Sequence, residues 1–122
     1  MTMFADREIK AIICARGGYG VNHVIPYLDL KVIRKNPKIL IGASDITLLL
    51  TYLNQKTSLV TFHGPMVAGN FGRHTMTRSK KQFRQLLTGN EQGKTLASPQ
   101  ARVLTPGKAR GQIGGGCLTL LC

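Results

Sequence analysis

Tryptophan is absent from the chain, and three Tyr and four Phe are its only aromatic residues. So few rings, none of them interleaved among the basic residues at regular spacing, leave no stacking platform of the kind that holds single-stranded nucleic acid. Acidic residues are scarce too: five Asp and Glu stand against 17 Lys and Arg, a formal net charge of +12. No stretch approaches the roughly 18 or more consecutive apolar residues of a membrane span. The opening MTMFADREIK carries charges where a signal peptide would have its apolar core, so the default compartment is the cytoplasm and no membrane is expected as a partner. Cysteine is limited to Cys14, Cys117 and Cys122. An odd count without C-x-x-C spacing supports neither a disulfide framework nor a zinc site.

What remains is a chain of 122 residues with 43% hydrophobic content, enough for one domain with a real core and too short for two ordinary ones. Its charge is uneven. Beyond Asp45 the only acid is Glu91, against Lys56, Arg73, Arg78, Lys80, Lys81, Arg84, Lys94, Arg102, Lys108 and Arg110. A solvated basic face accounts for this, and a basic nucleic-acid-binding module is the alternative.

Three short apolar runs read as strands. Glu8 to Ala15 centres on Ala11, Ile12, Ile13 and Cys14, apolar on both faces as in a parallel sheet, with Cys14 as a small core residue. Lys38 to Ala43 and Ser58 to Phe62 follow. Each run ends in a turn rich in glycine or polar residues. After the first comes Arg16-Gly17-Gly18-Tyr19-Gly20, then Val21, Val24, Ile25 and Leu28 at helical spacing, with Pro26 closing that helix. GGYG lacks both G-x-G-x-x-G and a P-loop lysine, so it is a weak phosphate signal, though a nucleotide-binding α/β domain would use it.

The second run continues as PKILIGASDIT, with Asp45, Ile46, Leu49, Leu50 and Leu53 at helical spacing. Ser44 therefore occupies a strand-to-helix turn. Gly42 leaves room for a tight nucleophile elbow, although Ile46 stands where G-x-S-x-G has its second glycine. The backbone N–H of Asp45 falls at a helix N-terminus, suited to an oxyanion. The plainer reading is that Ser44 and Asp45 only cap the helix. After the third run comes His63-Gly64-Pro65, so three successive strands bring Arg16 to Gly20, Ser44 and His63 to one rim, where open α/β sheets bind ligands. His63 is a candidate general base for Ser44 or a structural hydrogen-bonding residue.

Toward the C-terminus, Arg78 to Leu87 reads as a basic helix with Phe83, Leu86 and Leu87 inward, stopped by Gly89 and Asn90. Val103 and Leu104 suggest a brief strand in a polar, turn-rich stretch, and GQIGGGCLTLL ends the chain within an apolar pattern, with an exposed Cys122.

Together, ADREIKAIICARGGYG, PKILIGASDIT, TFHGPM and GGGCLTLL, in this order and spacing from about Phe4 to the last residue, resemble the LD-carboxypeptidases, the muramoyltetrapeptide carboxypeptidases and microcin-immunity peptidases. The resemblance implies an α/β, parallel-sheet, three-layer nucleophile domain and a cytoplasmic serine hydrolase of murein peptide recycling, without metal or other cofactor. Such enzymes cut the amide between the L-centre of a diamino acid and a terminal D-alanine. Ser44 would be the nucleophile, and the N–H groups of Asp45, Gly17 and Gly18 the oxyanion hole. Arg16, Tyr19 and His63 would face a muropeptide or small peptide substrate. It further implies that the family's catalytic Glu and His belong to a C-terminal domain lacking here, beyond the segment matching Gly115 to Leu118, with Cys117 where Asn is common. A first strand and helix would precede Phe4. Glu91 and His63 match neither catalytic residue. The expectation is a domain incomplete at both ends, inactive alone, marginally stable and prone to self-association through uncovered apolar surface.

Overall fold

The computed structural model describes residues 1–71, 77–89 and 102–122. They fall into two compact units, Met1–Met76 with Gly114–Cys122, and Thr77–Ile113. The expected Asn90 stop and the Glu91 loop lie outside the described residues.

The first unit is built on three parallel strands, β1 (Ala11–Ile13), β2 (Ile39–Gly42) and β3 (Thr61–His63), in that spatial order. Ile12 pairs with Leu40, Leu40 with Thr61, and Gly42 with His63. Around them run α1 (Thr2–Ala5), α2 (Val21–Val24), α3 (Leu30–Lys35) and α4 (Ile46–Thr57). All three apolar runs form strands, though shorter, and the third is shifted: β3 takes in His63, expected in the turn, because that residue pairs with Gly42. The α/β class with a parallel sheet holds.

The helices differ more. The periodicity from Val21 to Leu28 predicts one helix, whereas α2 ends at Val24 and tightens into a 3-10 turn, Ile25–Tyr27. Pro26 lacks the N–H a longer helix needs. Asp29 then starts α3, its carboxylate accepting from the N–H groups of Lys31 (2.9 Å) and Val32 (3.1 Å). Neither α1 nor α3 is anticipated by the sequence reading, yet Phe4 and Ile33 from them are buried with Ile12, Leu40, Leu50 and Leu53 as the core. Helix α4 turns Thr47, Leu50 and Leu53 inward, three residues apart on one face. Only Ile12 of β1 is buried, so its apolar residues do not cover both faces as expected. The strand is at the edge of the described sheet, and Ala11 and Ile13 face outward. Cys14 is half-buried against the core, and burial pushes its thiol pKa up, keeping it neutral.

Basic residues gather at the sheet's amino edge. Both α3 and α4 end there, and carbonyl groups of helix C-termini attract cations. The Arg34 guanidinium donates to the Lys56 carbonyl at the end of α4. Lys38, buried where β2 begins, donates to the carbonyls of Asp6 and Ile9, each at 2.7 Å. Lys10 and these two side chains line an open cleft of about 460 Å³. Backbone carbonyls thus accept from Arg34 and Lys38 at this edge.

In the second unit, α5 (Thr77–Leu87) forms as expected, and Gly89 follows it at φ 80°. Phe83 and Leu87 are half-buried, but Leu86 is exposed and not inward. Successive helical residues are about 100° apart, which carries Leu86 off the stripe that Phe83 and Leu87 share. Val103 and Leu104 form no strand; both stand exposed, without a described neighbour to pair with.

Two stability changes follow. Leu53 is fully buried, so Leu53→Ala should lower unfolding free energy by about 2–5 kcal/mol in urea titrations; an unchanged midpoint would contradict this packing. A Cβ at Gly42 would stand 2.4 Å from Ile46 Cγ2 and 2.9 Å from Ile46 Cβ. Gly42→Ala should therefore cost roughly 1–3 kcal/mol by overpacking, read in the same titration, and a neutral result would mean that β2 and α4 do not meet so closely.

Candidate active site

Every strand of a parallel sheet delivers its following loop to the same edge. Here that carboxyl edge is tied together by backbone bonds. The N–H of Gly64 donates to the Gly42 carbonyl at 2.9 Å, and the chain then crosses back so that Val67 and Ala68 donate to Cys14 (3.3 Å) and Ala15 (2.8 Å). A π-helical turn, Val67–Phe71, starts at this crossing. The loops after β1, β2 and β3 accordingly share one rim.

On that rim β2 turns into α4 through Ala43, Ser44 and Asp45. Ser44 is exposed and has φ 57°, in the left-handed region that costs an L-residue about 1–2 kcal/mol. Its carbonyl accepts from the Thr47 N–H at 2.8 Å, starting the helix, so the side chain is thrown outward while the backbone doubles back. Gly42 permits this, because the space a side chain would take there is filled by Ile46. One glycine before the serine thus supplies the clearance, and Ile46 fits where the usual motif has a second.

The glycine loop closes on the same serine. A Cβ at Gly17 would lie 2.7 Å from Ser44 Cβ and 3.0 Å from Ser44 Oγ. No other residue type fits there without displacing Ser44. Gly18 faces open space, and Gly20, at φ 104°, turns the chain into α2. Asp45 is buried, and its carboxylate accepts from the Val21 N–H at 3.0 Å. It therefore holds the end of the glycine loop and makes no side-chain cap for its own helix, because its backbone is already helical at φ −51°, ψ −31°. Among the described residues, nothing accepts from the N–H groups of Gly17, Gly18 or Asp45.

Of the expected site residues, the fold packs Ser44 against Gly17, with Asp45 next in the chain. Arg16 and His63 are on the same rim, both exposed, and Tyr19 is 93% exposed in the glycine loop. Among the described residues no hydrogen bond joins His63 to Ser44, and no cluster of His, Cys, Asp and Glu could hold a metal ion. No described helix is long and apolar enough to cross a membrane.

Thr47 enters the sequence analysis only as the last residue of PKILIGASDIT, with no role given to it. It is fully buried, and its hydroxyl accepts from the Cys117 N–H at 3.1 Å. Its methyl group abuts Gly116, where a Cβ would come within 2.3 Å, and Gly116 has φ 151°. The terminal GGGC run is thereby seated on the first turn of α4. Three consecutive glycines were the only sequence signal for that contact.

Residues 1–64 match the family model of the LD-carboxypeptidase N-terminal domain. A probable murein peptide carboxypeptidase of Bacillus subtilis is 44% identical over 98% of this chain and 38% of its own length. A putative carboxypeptidase of Streptomyces coelicolor is 40% identical over 97% of this chain, again 38% of its own. Among solved structures, the microcin C7 self-immunity protein MccF in its wild-type apo state aligns with TM-score 0.80 and 30% identity over 98% of this chain and 44% of that one. The muramoyltetrapeptide carboxypeptidase of Oxalobacter formigenes aligns with TM-score 0.65 and 28% identity over 71% and 30%. The chain thus spans less than half the length of these relatives. By its matched domain and these identities, it belongs to the LD-carboxypeptidase family.

Proposed function

We propose that this chain carries the nucleophile of a serine carboxypeptidase that removes a terminal D-alanine from murein peptides in the cytoplasm. The observation that carries this reading is Ser44 itself: solvent-facing, at positive φ, on a strand-to-helix turn, with Gly17 packed against its side chain. A strained backbone at a functional site is worth its cost when it fixes a reacting atom. In the proposed reaction Ser44 Oγ attacks the scissile carbonyl and its proton passes to a base. The N–H groups of Asp45 and Gly17, with Gly18 beside them, donate to the oxygen that becomes negative. Collapse of the tetrahedral species expels the D-alanine amine, which takes up a proton, and water then frees the acyl chain from Ser44. Arg16, Tyr19 and His63 form the walls that meet substrate.

Among the described residues no hydrogen bond links Ser44 to a base. Asp45 directs its carboxylate to Val21, and no described bond orients His63 toward Ser44. We assign the catalytic Glu and His to a second domain outside this chain. A serine deprived of its triad partners loses about 10⁴-fold or more in rate, so the isolated chain should be nearly inactive.

A chimaera tests both statements. Replacing the matching segment of the Bacillus subtilis relative with this chain should preserve D-alanine release from a muropeptide tetrapeptide, followed by amino-acid analysis. Ser44→Ala in the chimaera should abolish it, and the 122-residue chain alone should release none above background. Release that survives Ser44→Ala would overturn the nucleophile assignment; release by the isolated chain would overturn the placement of the base.

A further inference from the structure

The described part of the first unit is basic, yet its cations are segregated. Lys10 precedes β1 and Lys38 precedes β2, both at the amino edge. Lys31, Arg34 and Lys35 lie on α3, which leads to the start of β2, and Lys56 is in the last turn of α4, which leads to the start of β3. Arg7 comes before β1 as well. Arg16 alone among these Lys and Arg residues follows the carboxyl end of a strand. It immediately precedes Gly17, whose packing defines the position of Ser44.

The Arg16 backbone is held while its side chain is not. Ala68 and Val67 donate to the carbonyls of the two residues before it, and Gly17 is wedged against Ser44 and the Ala43 carbonyl just after it. The side chain is exposed, and among the described residues no carboxylate or carbonyl accepts from it. Asp45, on the same rim, spends its carboxylate on Val21. A guanidinium with no described acceptor, on an anchored stem that directly precedes the free N–H of Gly17, is suited to an anion with two oxygens in a plane, which it grips through parallel N–H···O bonds.

We propose that Arg16 binds the free α-carboxylate of the substrate's last residue, and so makes the site select chain ends over internal amides. This deepens the reading of Ser44 as nucleophile and rests on it for the position of the scissile bond. With Ser44 attacking the final amide, the terminal carboxylate lies only one residue beyond the reacting carbonyl. A cation immediately before Gly17 is therefore at the right scale of distance to receive it. The same group would leave an amidated terminus with no ionic partner, since an amide carries no charge.

Binding can be measured without turnover. Isothermal titration of the 122-residue chain with the D-alanine-terminated muropeptide tetrapeptide, as free acid and as C-terminal amide, should show the acid bound at least tenfold more tightly. Arg16→Gln should erase that preference, while Arg16→Lys should keep part of it, because a lysine retains the charge and loses the planar fork. Arg16 is exposed, and matching circular dichroism melts would show that both variants fold. Equal binding of acid and amide, retention of the preference in Arg16→Gln, or binding of neither peptide would overturn the proposal. Failure of the nucleophile reading would look different: acid preference intact, with D-alanine release in the chimaera indifferent to Ser44→Ala.

Discussion

The contact on which this site depends is the approach of Ile46 to Gly42. Helix α4 must begin almost on top of the last residue of β2, and only a residue without a Cβ allows it. That closeness forces the chain to reverse within two residues, and Ser44 takes the left-handed conformation because no gentler path connects the two elements. An exposed hydroxyl at the carboxyl edge is the geometric result. Packing in the core and position at the surface are one constraint here: Leu50 and Leu53 hold α4 down, and Ser44 is lifted by the same docking.

The rest of the rim is arranged to keep that turn in place. Asp45 reaches across to Val21 and fastens the glycine loop, Gly17 closes against Ser44, and Thr47 seats Gly116 and Cys117 beneath the first turn. Each tie joins segments far apart in the chain, so the site is assembled by the whole first unit. The charge pattern fits this division. Cations accumulate where helices end and carbonyls are unsatisfied, whereas among the described residues of this unit the carboxyl edge carries only Arg16, next in the chain to Gly17.

How much of this the amino-acid sequence discloses depends on the range of the interaction. Ile39, Leu40 and Ile41 announce a buried strand, and Gly42 before Ser44 announces a tight turn, because both signals are local. The parallel order of the strands follows from the alternation of apolar runs and helical spacing. Asp45 is harder: a carboxylate at a helix start is ordinarily a cap, and only the position of Val21 in space reveals that it serves a different helix. Thr47 closes the PKILIGASDIT motif but gives no sign of its contact, since its partner Cys117 is seventy residues away. The Val21 to Leu28 periodicity misleads because apolar spacing is indifferent to a proline that removes an N–H, and the Val103-Leu104 pair misleads because two apolar residues do not make a strand without a neighbour to pair with.

The elbow exists only if the fold holds Ser44 at positive φ. Glycine tolerates that conformation and alanine does not, so comparing Ser44→Gly with Ser44→Ala in urea unfolding isolates the backbone from any loss of the hydroxyl. The glycine variant should be the more stable by about 1 kcal/mol, although glycine elsewhere lowers stability. An alanine variant as stable as the glycine variant, or more so, would mean that the turn is relaxed and that the elbow described here does not exist.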